Sequence, residues 1–105
     1  MSRPTSSAPS LPLTEALRQS APLAALLQRV RESEARWAAA RAALPAGLAG
    51  AVQPGPIDDE QWLLLASSGS VAAKLRQCLP ALSATLTEQG WTQLPIRVRV
   101  RRHAP

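Results

Sequence analysis

The sequence predicts an α+β fold, a three-stranded mixed sheet with both helices packed on one face. Three observations predict it. Two segments carry apolar residues at helical spacing, and one C-terminal segment alternates strictly with period two. The elements run helix, strand, strand, helix, strand, and a helix between two strands crosses right-handedly and makes those strands parallel. The 105 residues suffice for one compact domain and one core.

Residues 1–12 are rich in Ser and Pro and lack periodicity, which reads as a flexible leader. A single domain is expected over 13–101, followed by a short tail at 102–105. Thr14 can cap a short helix from Glu15 to Gln19, and Ser20 a longer one with Pro22 in its first turn. Leu23, Leu26, Leu27, Val30, Trp37 and Leu44 form the apolar stripe of that helix, interrupted by Ser33 and Glu34. Glu32 and Arg36 make an i,i+4 pair expected on its outer face. Pro45 stops the helix, and Gly47 and Gly50 loosen the segment after it.

A hairpin comes next. Ala51 to Ile57 contains Pro54 and Pro56, which cannot donate ladder hydrogen bonds, so it reads as an edge or irregular strand. Asp58-Asp59-Glu60 is the turn, and Gln61 to Ser67 is apolar on both faces, as a central strand would be. Ser68-Gly69-Ser70 opens a second long helix whose apolar face is Val71, Leu75, Cys78, Leu79, Leu82 and Leu86. Pro80 should kink or break it, and Gly90 should end it in the left-handed region. In the last strand Ile96, Val98 and Val100 share one face, and Arg97, Arg99 and Arg101 the other.

Composition narrows the function. One cysteine excludes a disulfide scaffold or a cysteine-based zinc site, and the single His103 stands near the end of the chain. No Ser-His-Asp set, phosphate loop or metal-ligand cluster is present, which points away from an enzyme and implies no cofactor. Asp58, Asp59 and Glu60 alternate in direction and suit a solvated turn better than a metal site. Cys78 lies on an apolar helix face and reads as a small core residue. Gly47-Leu48-Ala49-Gly50 matches the G-x-x-G of RNA-binding KH domains, but its apolar middle and its place before the hairpin make it a helix stop. No run reads as a transmembrane helix or a secretory signal, so a cytoplasmic protein without membrane partners is expected.

Charge is more informative. The net charge is +5, and from Trp91 onward there are four arginines and no acid. Such a balance suggests a polyanionic partner, although eleven of the twelve basic residues are Arg and GC-rich coding produces the same bias. Alternate arginines on a strand stand about 7 Å apart, close to the phosphate spacing of an extended single strand. Lys74, Arg76, Arg97, Arg99, Arg101 and Arg102 are the candidate nucleic-acid contacts. A second candidate surface is apolar. If Ile96, Val98 and Val100 face the helices, either Trp62 and Leu64 or Leu63 and Leu65 must lie on the open face beside the arginines. Trp62, Leu63 and Leu65 are therefore candidate partner contacts, for another protein or for a second copy of this chain.

From about Leu26 to Val100 the chain resembles the DciA family of bacterial proteins associated with the replicative helicase. The resemblance lies in Ala42-Ala43-Leu44-Pro45 leading into Leu48-Ala49, and in Trp62-Leu63-Leu64-Leu65-Ala66-Ser67. It continues through Val71-Ala72-Ala73-Lys74-Leu75-Arg76 and closes at Leu94-Pro95-Ile96-Arg97-Val98-Arg99-Val100. The chain departs from the family at Ala40 and Val71, where tryptophan is common, and at Asp59-Glu60, where glycine is common. The resemblance implies a KH-like α-β-β-α-β domain and a role in loading or operating the replicative DNA helicase. It implies a non-enzymatic adaptor that contacts single- or double-stranded DNA. The alternative is a protein-interaction module or homodimer that binds through its apolar open face and uses arginine for solubility.

Overall fold

The computed structural model describes residues 21–101. The leader, the short helix expected from Glu15 to Gln19, and the tail with Arg102 lie outside the described residues. Helix α1 spans Ala21–Ala40 and tightens into a 3-10 turn at Arg41–Ala43. A single helical turn, α2 (Ala46–Ala49), comes directly after Pro45. Strands β1 (Val52–Ile57) and β2 (Trp62–Ala66) lead to α3 (Gly69–Glu88) and β3 (Ile96–Val100). The fold is α+β, with a three-stranded mixed sheet in the order β1-β2-β3.

Strands β1 and β2 pair antiparallel, and β2 and β3 pair parallel. The nitrogen of Pro54 faces the outer edge of the sheet, where a donor is not needed. The register of β1 with β2 shifts between Pro54 and Ile57, the stretch that holds Pro56. Gly55 lies in that irregular stretch. A Cβ there would stand 3.0 Å from the Leu63 carbonyl oxygen and 3.3 Å from Leu65 Cγ, so the close approach of β1 to β2 requires glycine.

Parity decides which face of β2 is covered. Trp62, Leu64 and Ala66 pair with Ile96, Val98 and Val100, and all three β2 residues are fully buried beneath the helices. Leu63 and Leu65 pair with Arg97 and Arg99 on the opposite face and are half-buried. The core joins Trp62 and Leu64 to Trp37, Ala40 and Leu44 from the α1 end, and to Leu75, Leu82 and Leu86 of α3. Burial of each large apolar side chain stabilises the fold by about 1.5–3 kcal/mol.

Helix α3 begins at Ser68, whose hydroxyl accepts from the Val71 N–H at 3.3 Å. It runs unbroken through Pro80, so of the kink or break expected there, the break into two helices does not occur. Pro80 is exposed, so its ring meets no packed neighbour on the solvent side, while Leu75 and Leu82 hold the two halves of the helix to one core. Gly90 ends the segment at φ 86°, in the left-handed region that favours glycine.

The apolar stripe of α1 is only half used. Trp37 is buried, but Leu23, Leu26 and Val30 are 47%, 61% and 46% exposed. A 20-residue helix is about 30 Å long, whereas strands of five or six residues reach about 17–20 Å. The first turns of α1 therefore overhang the sheet. Two polar residues take the buried places instead, Ser33 and Arg36. Ser33 Oγ donates to the Gly55 carbonyl at 2.6 Å and accepts from Trp62 Nε1 at 2.9 Å. Arg36 is not on the outer face as expected. It donates to Glu32 and to the Thr92 carbonyl, and its guanidinium lies 5.1 Å from the centre of the Trp91 ring. A buried arginine is tolerated there because its charge is paired with Glu32, two of its N–H groups are hydrogen-bonded and its guanidinium lies over the Trp91 ring.

Candidate nucleic-acid interface

The open face of the sheet is built by the alternation of β2 and β3. Leu63 and Leu65 stand on β2, with Arg97 and Arg99 beside them on β3. Both arginines are exposed, and the two leucines are half-buried. Arg97 donates from Nε to the Gln61 side-chain oxygen at 3.2 Å, which holds its guanidinium toward the β1–β2 turn end of the sheet. A cavity of about 230 Å³ between Gln61, Leu63, Arg97 and Arg99 opens on this face. Arg101 extends the row by parity, and its backbone N–H donates to the Ala66 carbonyl at 2.6 Å.

The other candidate residues sit elsewhere. Lys74 and Arg76 belong to α3, which packs on the helix side of the sheet. Lys74 is exposed on that layer. Arg76 reaches the rim of the sheet, where Nη2 donates to the Val98 carbonyl at 3.2 Å. The structure brings Arg97, Arg99 and Arg101 together and does not bring Lys74 to them. Trp62 requires a correction as a partner contact. It is fully buried, with its indole N–H committed to Ser33, and cannot stack on a base or meet a partner. The open face belongs to Leu63 and Leu65.

The turn at one end of this face is preorganised. Asp58 Oδ1 accepts from the backbone N–H groups of Glu60 and Gln61 at 2.7 and 2.9 Å. These two hydrogen bonds hold the Asp58 carboxyl below its ordinary pKa, with Arg29 adding a smaller Coulombic contribution. Arg29 also pairs with Asp59 at 3.0 Å, tying α1 to the turn.

A second surface was not legible in the sequence. The overhanging part of α1 and the irregular β1 enclose a mostly apolar groove of about 290 Å³, lined chiefly by Leu26, Val30, Pro54, Pro56 and Ile57. Its signals were the stripe Leu23, Leu26 and Val30, which periodicity assigned to the core. The length mismatch between helix and sheet leaves that stripe outside.

Among the described residues no cluster of three His, Cys, Asp or Glu side chains could hold a metal ion, and Cys78 is half-buried against the core. No described helix is long and apolar enough to cross a membrane. No protein-family model matches the sequence, and no curated protein matches it significantly. The functional reading therefore rests on this geometry and on the resemblance carried by the residues.

Proposed function

We propose that the protein is a non-enzymatic adaptor with a KH-like α-β-β-α-β domain that assists the loading or operation of a bacterial replicative helicase. It contacts DNA without reading sequence. The observation that carries the DNA contact is the pairing of Arg97 and Arg99 with Leu63 and Leu65 on one open sheet face. Arginines about 7 Å apart match successive phosphates of an extended strand. The leucines offer apolar contact without stacking, which suits positioning rather than base readout. The helicase rests on the resemblance alone.

The test has two arms. A labelled single-stranded oligonucleotide is titrated at several salt concentrations against the native chain and the Arg97→Glu, Arg99→Glu variant. With Arg97, Arg99 and Arg101 engaged, log affinity falls against log salt with a slope of about −2. The double variant loses binding while keeping its thermal midpoint, because both side chains are exposed. A flat salt response overturns the DNA contact. In the second arm the tagged chain is mixed with purified replicative helicase in the presence of nuclease. Failure to co-purify removes the adaptor reading.

A protein-interaction module is the second reading, and the groove between α1 and β1 favours it. Leu26 and Val30 expose more apolar surface there than the half-buried leucines of the open face. Light scattering of the native chain and of Leu26→Glu separates the two. A dimer that this substitution dissolves, together with no affinity for the oligonucleotide, supports this reading over the first.

A further inference from the structure

The two edges of the sheet are treated differently by the sequence. On β1, Pro54 leaves the outer edge without a donor, the register shifts beside Pro56, and Ser33 Oγ occupies the Gly55 carbonyl. These are devices that stop another strand from pairing. Strand β3 has no proline and no register shift, and its one occupied outward carbonyl, that of Val98, is held by the exposed and displaceable Arg76. It runs regularly through five residues, and among the described residues no strand pairs with its outer side.

The direction of its backbone groups is fixed by two hydrogen bonds. Trp62 N–H donates to the Pro95 carbonyl and Arg101 N–H to the Ala66 carbonyl, so the odd-numbered residues of β3 address β2. Ile96, Val98 and Val100 turn theirs outward. The hydrogen bond from Arg76 to the Val98 carbonyl agrees with that direction. Arg76 is exposed, and its guanidinium stands where the N–H of an added strand would stand.

Charge selects what can be added. In an antiparallel addition, Arg97 and Arg99 fall at the non-hydrogen-bonded pairs, where Cα atoms approach to about 4.5 Å and side chains are closest. A second copy pairing through β3 about a two-fold axis at Val98 would set Arg97 directly against Arg99. Every register that keeps the faces separate opposes arginine to arginine in this way, which is destabilising. A strand with carboxylates at those positions gains ion pairs instead. Its intervening residues would meet Ile96, Val98 and Val100, of which Val100 is 47% exposed, so they should be apolar.

We propose that the outer edge of β3 is a docking site for an extended segment of a partner protein in which acidic and apolar residues alternate. The segment adds as a fourth strand, displaces Arg76 from the Val98 carbonyl, and places its acids against Arg97 and Arg99. Backbone hydrogen bonds supply affinity, and the arginine row supplies the choice of partner. This site shares Arg97 and Arg99 with the proposed DNA contact, so the two ligands would compete, but the argument for it does not rest on that reading.

The test uses the full chain and a fluorescein-labelled peptide of alternating Glu and Val, as long as β3, read by anisotropy. A peptide of the same composition with its Glu and Val in two blocks is the control. Val98→Pro and Val100→Pro each remove one outward N–H without touching the ladder to β2. Val100→Pro, at the more exposed position, decides the matter if Val98→Pro fails to fold. The alternating peptide is expected to bind about tenfold more tightly than the block peptide, and each proline variant to weaken it about tenfold. Equal binding of both peptides with no effect of proline reduces the interaction to charge attraction and overturns the proposal. So does a native dimer that Val98→Pro dissociates, which would make a second copy the occupant. If proline weakens a single-stranded oligonucleotide as much as the peptide, the edge is a nucleic-acid contact and the partner strand is excluded.

Discussion

Ser33 and Trp62 share a hydrogen bond of 2.9 Å across the interface between α1 and the central strand, and the same hydroxyl donates to Gly55 on β1. One small side chain thus satisfies a buried indole N–H and a carbonyl in the stretch of β1 where the register shifts. Ser33→Ala leaves both groups unsatisfied. We expect a loss of about 1–3 kcal/mol, measured by urea unfolding. An unchanged midpoint would mean that water replaces the hydroxyl.

Arg36 presents a similar case at higher stakes. It is buried, pairs with Glu32, holds the Thr92 carbonyl at 3.0 Å and stacks on Trp91. Arg36→Ala is expected to cost about 2–3 kcal/mol, chiefly through the lost burial of its stem and its contact with Trp91. Glu32 is one-third exposed and Thr92 is exposed, so water can reach both. Arg36→Lys should recover little of this, because an ammonium cannot reach both partners and cover the ring at once. Thermal unfolding of both variants checks the order.

Gly55→Ala is expected to destabilise the hairpin and to disturb the open face. The added methyl meets the Leu63 carbonyl oxygen at 3.0 Å, and that atom is backbone and cannot swing aside. Chemical-shift changes should spread to Leu63 and Leu65 while the α3 residues around Leu82 stay in place.

Asp58 sets a pH dependence at the turn. Its carboxyl is held below the usual aspartate value of about 3.9, so the unfolded chain takes up its proton before the folded chain does. The stability it contributes is present above the unfolded value and is lost as pH falls through the folded one. Unfolding midpoints of the native chain and Asp58→Ala should therefore differ at about pH 6 and converge as pH falls below the folded value. Curves that stay parallel to that point would contradict the assignment.

Pro80→Ala should stabilise α3 by about 1–2 kcal/mol, because it restores a donor to the Arg76 carbonyl at an exposed site. Part of the propensity difference is returned to the unfolded chain as entropy. Thermal midpoints measure the balance.

The order of elements was legible because period and punctuation agree in this sequence. Gly90, the prolines of β1 and the alternation of β3 each specify one backbone state. The face of β2 was not legible. Trp62 with Leu64 and Leu63 with Leu65 are equally apolar, and only pairing with Ile96 and Val98 separates them. The reach of α1 was missed for a different reason. Its stripe is regular, but periodicity carries no information about how far the neighbouring sheet extends. Ser33 and Arg36 read as surface residues by type. Their partners Gly55, Trp62 and Thr92 lie 22, 29 and 56 positions away, beyond any local pattern. At the candidate site, Arg97 and Arg99 could be placed on one face from alternation alone. That Lys74 belongs to another layer required the crossover of α3.

The parallel pairing of β2 with β3 also has a consequence for the order of folding. Ile57 and Trp62 meet across a tight turn, whereas Trp62 and Ile96 must close a loop about seven times longer, at an added entropic cost of about 2 kcal/mol. Loop closure alone leads us to expect that the hairpin forms first and that the arginine strand pairs once α3 has formed and docked. Amide exchange should accordingly release β3 before β1 and β2. In that order the charged surface is the last part of the molecule to come into existence, and a chain caught halfway presents a hairpin without it.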